Sequence, residues 1–381
     1  MSILFTRARI NNLEMQNRFV RSATFEGMGT ANWGPAESLG VLYGNLADGG
    51  VGLIVTGGAF VERYKKFPQF KSGAPHPVAI DNDSLIDEWR RITEGVHKHG
   101  SRIVMQITHL GRQDNPVLRG TDPIAPSLVP DRISGFAPRP MTVKEIQDMV
   151  ERFAQACRRT REAGFDGVQL HGGHGFLISN FLSPYTNVRT DQYGGATENR
   201  SRFVVEIVKR ARELTGDDYP LMIKMNCDDF VPGGLVVDEA VRIAGIIVEA
   251  GIDCIEVTGG IRESAGYIRR LDALATRNVN REAYFQTLSV ALKKGVDVPI
   301  ILVGGMRTPS VMENVVREKI ADFVALARPF ICEPDLIRKL KAGDWSTSKC
   351  ASCNTCLKNA FVHPLRCYEA GRPKKQSAKE G

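Results

Sequence analysis

Eight short runs rich in Val, Ile and Leu recur along this chain, at residues 19–24, 52–56, 102–107, 167–170, 221–225, 254–258, 299–303 and 323–326. Helix-length amphipathic stretches separate most of them, among them 142–163, 197–214, 237–249 and 281–293. Strands that alternate with helices pair in parallel, because a crossover is needed to return the chain to the same end of the sheet. Eight repeats predict an α/β fold of the (β/α)8 TIM barrel type rather than a doubly wound sheet. No GxGxxG follows the first run, which argues against a dinucleotide-binding sheet. Thr142 reads as an N-cap, with Glu145 completing a capping box. Residues 114–140, rich in proline and polar side chains, read as an insertion after the third strand that folds over the barrel mouth. The barrel is expected over residues 1–345 and a short cysteine-rich extension over 346–381.

In such barrels the chemistry gathers at the C-terminal ends of the strands. The first strand ends in Ser22, Ala23 and Thr24, the second in Gly57, Gly58 and Ala59. Gln106 in the third and Lys224 in the fifth are polar groups inside apolar runs. Each must find a partner once buried, and for Lys224 that partner should be negative. Gly304 and Gly305 after strand seven, with Ala327 and Arg328 after strand eight, suit a phosphate held by backbone N–H groups and a guanidinium. The longest motif follows strand four, where residues 171–195 read HGGHGFLISNFLSPYTNVRTDQYGG. His171 and His174 are placed to donate hydrogen bonds, as neutral imidazoles, to one substrate oxygen. A small-molecule oxidoreductase pocket is the reading; an aldolase-type barrel with Lys224 as a Schiff-base lysine leaves 171–195 unexplained.

The formal charge of +7 lies partly in residues 372–379, and elsewhere bases mix with acids, so no nucleic-acid partner is expected. No apolar run approaches the ~20 residues of a membrane helix, and no membrane partner is expected. The N-terminus, MSILFTRARINN, carries no leader pattern, so a cytoplasmic location is expected. Cys157, Cys227, Cys254 and Cys332 stand singly in apolar segments and read as reduced core residues. A homo-oligomer is expected.

Several segments carry a likeness to a known family. NRFVRSAT, MQITHLGR, HGGHGFLISNFLSP, RTDQYGG, TENRSRF, VGGMRT and ALARPF, spread in order over roughly residues 3–345, resemble the Old Yellow Enzyme family of FMN-dependent oxidoreductases. The resemblance implies FMN across the barrel top. Ala59 and Gln106 would contact the ring system, with Gln106 near its pyrimidine edge. Lys224 would stand near flavin N1 and O2, while Gly305 and Arg328 would hold the phosphate. Hydride would pass from NAD(P)H through the flavin to an activated C=C bond, with His171 and His174 on the substrate carbonyl. Two positions depart from the family pattern. Phe176 stands where a proton-donating tyrosine is usual, so water or another tyrosine, Tyr64 or Tyr267, would have to protonate. An ungapped match also puts Phe25 where Thr or Cys usually touches flavin O4, with Thr24 one place earlier.

Residues 350–367 read CASCNTCLKNAFVHPLRC, spacing Cys350, Cys353, Cys356 and Cys367 as C-x2-C-x2-C-x10-C. Four thiolates in such an order suit a [4Fe–4S] cluster, whereas structural zinc more often uses two separated knuckles; zinc and metal-free thiols are the other readings. The segment is similar to the motif of the 2,4-dienoyl-CoA reductase and trimethylamine dehydrogenase branch, with a shorter last gap. His363 reads as a surface residue. The leading reading is an NAD(P)H-driven reductase of activated C=C bonds or related electrophiles. The alternative is a flavin/iron–sulfur electron-transfer subunit or amine-type dehydrogenase, whose partner would be an electron-transfer protein.

Overall fold

The computed structural model describes residues 2–63 and 75–369. Thirteen strands occur among them. Two, β1 (Ala8–Ile10) and β2 (Leu13–Met15), form an antiparallel hairpin. The eight expected runs then appear as β3 (Phe19–Arg21), β4 (Leu53–Val55), β6 (Arg102–Thr108), β9 (Gly167–Gly172), β10 (Leu221–Asn226), β11 (Cys254–Thr258), β12 (Ile300–Val303) and β13 (Phe323–Leu326). They pair in parallel in that order, and β13 meets β3, so the sheet closes into a (β/α)8 barrel. A two-residue β5 (Ala59–Phe60) continues the second strand beyond Thr56–Gly58 and pairs with β6.

The strand period of two sorts the barrel's side chains into an outer set and three inner layers. Ile103, Met105 and Ile107 of β6, with Ile223 and Met225 of β10 and Ile255 and Val257 of β11, join the large core beneath the helices. Inside, the lowest layer is apolar. Val20, Leu53, Val55, Val104, Met222, Cys254, Ile301 and Phe323 pack on Ile10, Leu13 and Met15 of the hairpin, which plugs the N-terminal end of the barrel. Nothing in the residue pattern of 8–15 announced this plug. Two residues further along β6, β9, β10 and β11 the inner positions turn polar: Gln106, Gln169, Lys224 and Glu256, all buried. The next step brings Thr108, His171, Asn226 and Thr258 to the mouth.

The helices cover the outside. Val143–Glu162 starts from Thr142 with the expected capping box, and Thr197–Thr215 and Val237–Glu249 fall where the amphipathic pattern put them. The fourth begins later than expected, at Gln286 rather than 281, because Ala283 takes a left-handed backbone (φ 54°) that an α-helix cannot include. Within 114–140 lie a short helix, Pro116–Arg119, and a minimal parallel pair of β7 (Ile124–Ala125) and β8 (Arg139–Pro140). This insertion is tied to the mouth by Val188 N–H on Ser127 Oγ and Arg189 on the Pro126 carbonyl.

The extension folds back along the barrel top. Glu333 Oε2 accepts from Ser348 Oγ (2.7 Å) and Lys349 N (2.6 Å), fixing the segment just before Cys350. After the helix Thr355–Asn359, Leu365 N donates to the Glu26 carbonyl in the loop after β3. Cys356, Ala360 and Leu365 form a small core with Phe25 and Ile331. Cys332 is corrected by this packing: it is not an isolated core thiol but lies half-buried beside Cys367, interacting with it.

Candidate active site

The polar middle layer is one connected network. Gln106 Nε2 donates to Gln169 Oε1 (2.7 Å), and Gln169 Nε2 donates to Glu256 Oε2 (2.8 Å). Lys224 Nζ donates to Glu256 Oε1 (2.9 Å) and to Ser22 Oγ (2.8 Å), while Ser22 Oγ donates to the same carboxylate oxygen (2.5 Å). Lys224 thus has the negative partner its setting demands. Burial pushes the Glu256 carboxyl up, but the Lys224 charge and the three hydrogen bonds outweigh it, and the group stays ionised below the ordinary carboxylate range. Gln169 and Glu256 were missed in the sequence. The signal was there, since each is polar in an apolar run, two residues from a layer neighbour.

Above this layer stand the two histidines. His171 is the last residue but one of β9, and its Nδ1 accepts from Gly173 N at 3.4 Å, which leaves the proton on Nε2. His174 takes a left-handed backbone (φ 60°), held by its N–H on Asn226 Oδ1 (3.0 Å) and by Gln113 on its carbonyl. Its Nε2 pairs with Thr258 Oγ1 at 2.9 Å. The rings lie 5.3 Å apart and nearly perpendicular. Burial, repulsion of a second proton by the neighbouring His174 ring, and Lys224 hold His171 well below the usual histidine range; burial and Lys224 pull His174 down to about 3. Both are therefore neutral at physiological pH, and each can offer a ring N–H to an oxygen without carrying charge.

A groove of about 580 Å³ runs from these residues across the barrel top. Ser22, Ala23, His174, Phe176, Lys224, Gly304, Gly305, Ala327 and Arg328 line it; Thr24, Ala59, Gln106 and His171 are buried and do not reach its lining. At the far end Gly304 (φ 141°) and Gly305 (φ 68°) turn through backbone that side chains rarely adopt. A Cβ on Gly305 would come within 2.7 Å of the Tyr284 ring. Arg328 donates there to Asp272 Oδ1 (2.7 Å) and to Asn354 Oδ1 in the cysteine loop (2.8 Å).

The donor set suits FMN on three counts. A carboxylate already stands in for an anion against Arg328. A buried ammonium, Lys224, lines the groove. Thr108 Oγ1, at the mouth beside Gly58, is buried with no hydrogen-bond partner among the described residues. The two departures resolve unequally. Phe25 turns away to stack on Phe361 at 5.3 Å, so it belongs to the extension's packing. Phe176 lies edge-on to His171 at 4.5 Å, inside the groove. Tyr267 is exposed and packs on Phe230, and Tyr64 lies outside the described residues.

In the extension, Ser352 (φ 51°) and Asn354 (φ 61°) on either side of Cys353 coil the loop tightly. Burial pushes the Cys350 thiol up, while Ser352 N–H, Arg328 and Arg307 pull it down; Leu357 N–H acts likewise on Cys356. Such donors and cations suit anionic sulfur. Cys350 and Cys356 are buried, Cys367 half-buried and Cys353 exposed. Among the described residues no three His, Cys, Asp or Glu side chains converge as a ligand set, so the four are brought to one loop system but not closed around a centre. His363 is exposed, as read. Among these residues no helix is long and apolar enough to cross a membrane.

The sequence pattern of the NADH:flavin oxidoreductase / NADH oxidase family matches residues 3–345. The chain is 37% identical over 366 residues to an NADH oxidase of Thermoanaerobacter brockii, covering 95% of this chain and 54% of that one. It therefore spans about half the length of that relative. Among solved structures, a 2-naphthoyl-CoA reductase complex superposes with a TM-score of 0.86 at 28% identity, over 96% of this chain and 56% of the other. A histamine dehydrogenase from Rhizobium sp. 4-9 gives 0.83 at 26%, over 96% and 52%.

Proposed function

The chain belongs to the NADH:flavin oxidoreductase / NADH oxidase family, and from that footing we propose that it is an FMN-dependent oxidoreductase that takes hydride from NAD(P)H and reduces an activated C=C bond or a related electrophile. The observation that carries this reading is the pair His171 and His174, two neutral imidazoles held at the mouth of a groove over a buried ammonium. Ser22, Ala23, Thr24, Ala59, Gln106 and Lys224 would surround the flavin ring, and Gly304, Gly305, Ala327 and Arg328 its phosphate. Bound FMN would supply the two-electron carrier between nicotinamide and substrate.

The chain's own residues would do the rest. His171 would donate Nε2–H to the substrate carbonyl. Thr258, giving its hydroxyl proton to His174 Nε2, would leave His174 Nδ1–H as the second donor. Two neutral donors stabilise an enolate oxygen that forms during reaction more than the carbonyl that precedes it. Lys224 would favour negative charge at the ring edge. Phe176 offers no proton, so protonation at the α-carbon falls to another group.

We further propose that 1–345 and 346–381 are separate functional parts. In the second, Cys350, Cys353, Cys356 and Cys367 would hold a [4Fe–4S] cluster, which would supply a one-electron route out of the barrel. Phe176 and the likeness to a histamine dehydrogenase favour a second reading, an amine-type dehydrogenase or electron-transfer subunit with a protein partner. Eight free cysteines suit a reducing compartment such as the cytoplasm.

The test is an anaerobic visible spectrum of the protein, followed by NADH or NADPH and then an enone. Flavin bands that bleach with nicotinamide and return with enone support the first reading. Return only with an added one-electron acceptor supports the second. A protein that binds no flavin sinks both.

A further inference from the structure

Lys224 is a buried cation on the lining of the groove, yet its charge does not act alone. Its Nζ lies 2.9 Å from Glu256 Oε1, with side-chain exposures of 5% and 0%. Two buried opposite charges at this distance present a dipole, not a cation, to anything above them. Glu256 is also held from three sides, by Lys224, Ser22 and Gln169. It sits on β11, opposite Lys224 on β10 in register, so the strand pairing itself fixes the contact. The carboxylate points into the barrel and is fully buried.

Resting on the reading that FMN lies in this groove, we propose that Glu256 is a positioning residue that sets how much positive charge Lys224 presents to the flavin. It fixes the ammonium beneath the ring edge and offsets part of its field. Gln169 modulates the effect by binding the second carboxylate oxygen, and Gln106 orients Gln169.

The test uses sulfite on the FMN-loaded protein. Sulfite adds to flavin N5 through its sulfur lone pair; the new S–N bond pushes an electron pair to the N1–O2 edge, so the adduct carries negative charge there. No oxidant or reductant is consumed. Glu256→Gln keeps the shape and removes the charge; its amide oxygen can still accept from Lys224 and Ser22, while its amide nitrogen meets the donor Gln169 Nε2, so the Gln106–Gln169 amides must turn over to pair with it. Sulfite should then bind at least about tenfold tighter, and the flavin midpoint potential should rise. Glu256→Asp, which keeps the charge, should stay closer to the wild type. Sulfite affinity and potential unchanged or lowered in Glu256→Gln would overturn the assignment. Should that variant not fold, Gln169→Met carries the test. It leaves more charge on Glu256 and should weaken sulfite binding by about threefold; no change there also overturns it. A wild type without FMN would remove the functional reading and this inference together, whereas FMN bound with an unresponsive sulfite affinity removes only the role of Glu256.

Discussion

Asp272 occupies the guanidinium of Arg328 at 2.7 Å, and the same carboxylate oxygen accepts the Tyr284 hydroxyl at 2.9 Å. Both charged side chains are largely buried, at 13% and 14% exposure. The pair stands at the end of the groove where Gly304 and Gly305 turn, so a carboxylate holds the position that a phosphate would need.

Asp272→Ala is accordingly expected to tighten FMN binding to the apoprotein by roughly tenfold, as expected for removing one close charge competitor. Quenching of FMN fluorescence on titration measures it. Equal or weaker binding would mean that Asp272 orients Arg328 for phosphate instead of competing with it.

Phe176→Tyr places a hydroxyl beside His171, which the phenylalanine ring meets edge-on at 4.5 Å. If protonation limits turnover, enone reduction should accelerate by roughly a hundredfold, the low end of general-acid catalysis. A stopped-flow oxidative half-reaction reads the rate directly. No acceleration would assign the proton to another group.

His174, pulled down to about 3, stays neutral in the native state while an unfolded histidine takes up a proton near its ordinary value. The unfolded state thus binds more protons between about pH 6.5 and 3, and stability falls as pH falls through that window. The Tm should drop from pH 7 to pH 5, and less so in His174→Asn. Equal drops in the two proteins would place the acid sensitivity elsewhere.

Cys353→Ala should abolish bound iron, about four per FMN in the parent, and leave FMN in place. Cys353 is exposed and outside the small core of the extension, so the change should not disturb folding. Iron and acid-labile sulfide against released flavin provide the count. Full iron retention would exclude Cys353 from the ligand set.

The barrel was legible because strand burial writes itself as apolar runs, and β11 and β13 fall at the predicted limits. Gln106 and Lys224 stood out as polar breaks in those runs, and their partners, Gln169 and Glu256, carried the same signature. Contacts between distant segments left no such trace. Asp272 lies 56 residues from Arg328, and nothing local in either sequence announces the pair. Cys332 looked like a core thiol because its neighbours are apolar; only the return of the extension brings Cys367 beside it. The β1–β2 plug was hidden for the opposite reason, since each strand is too short for its alternation to register.

The polar layer also bears on how this barrel could be divided. Ser22, Gln106 and Gln169 come from the first half of the chain, Lys224 and Glu256 from the second. A cut between β9 and β10 would strip the buried carboxylate of two of its three donors and leave Gln169 without an acceptor. Neither half could hide its share of the layer from water without leaving polar groups unpaired. Two co-expressed fragments should therefore fold only by finding each other, and the seam between them would be sealed by charge and amide contacts at the centre rather than by apolar surface alone.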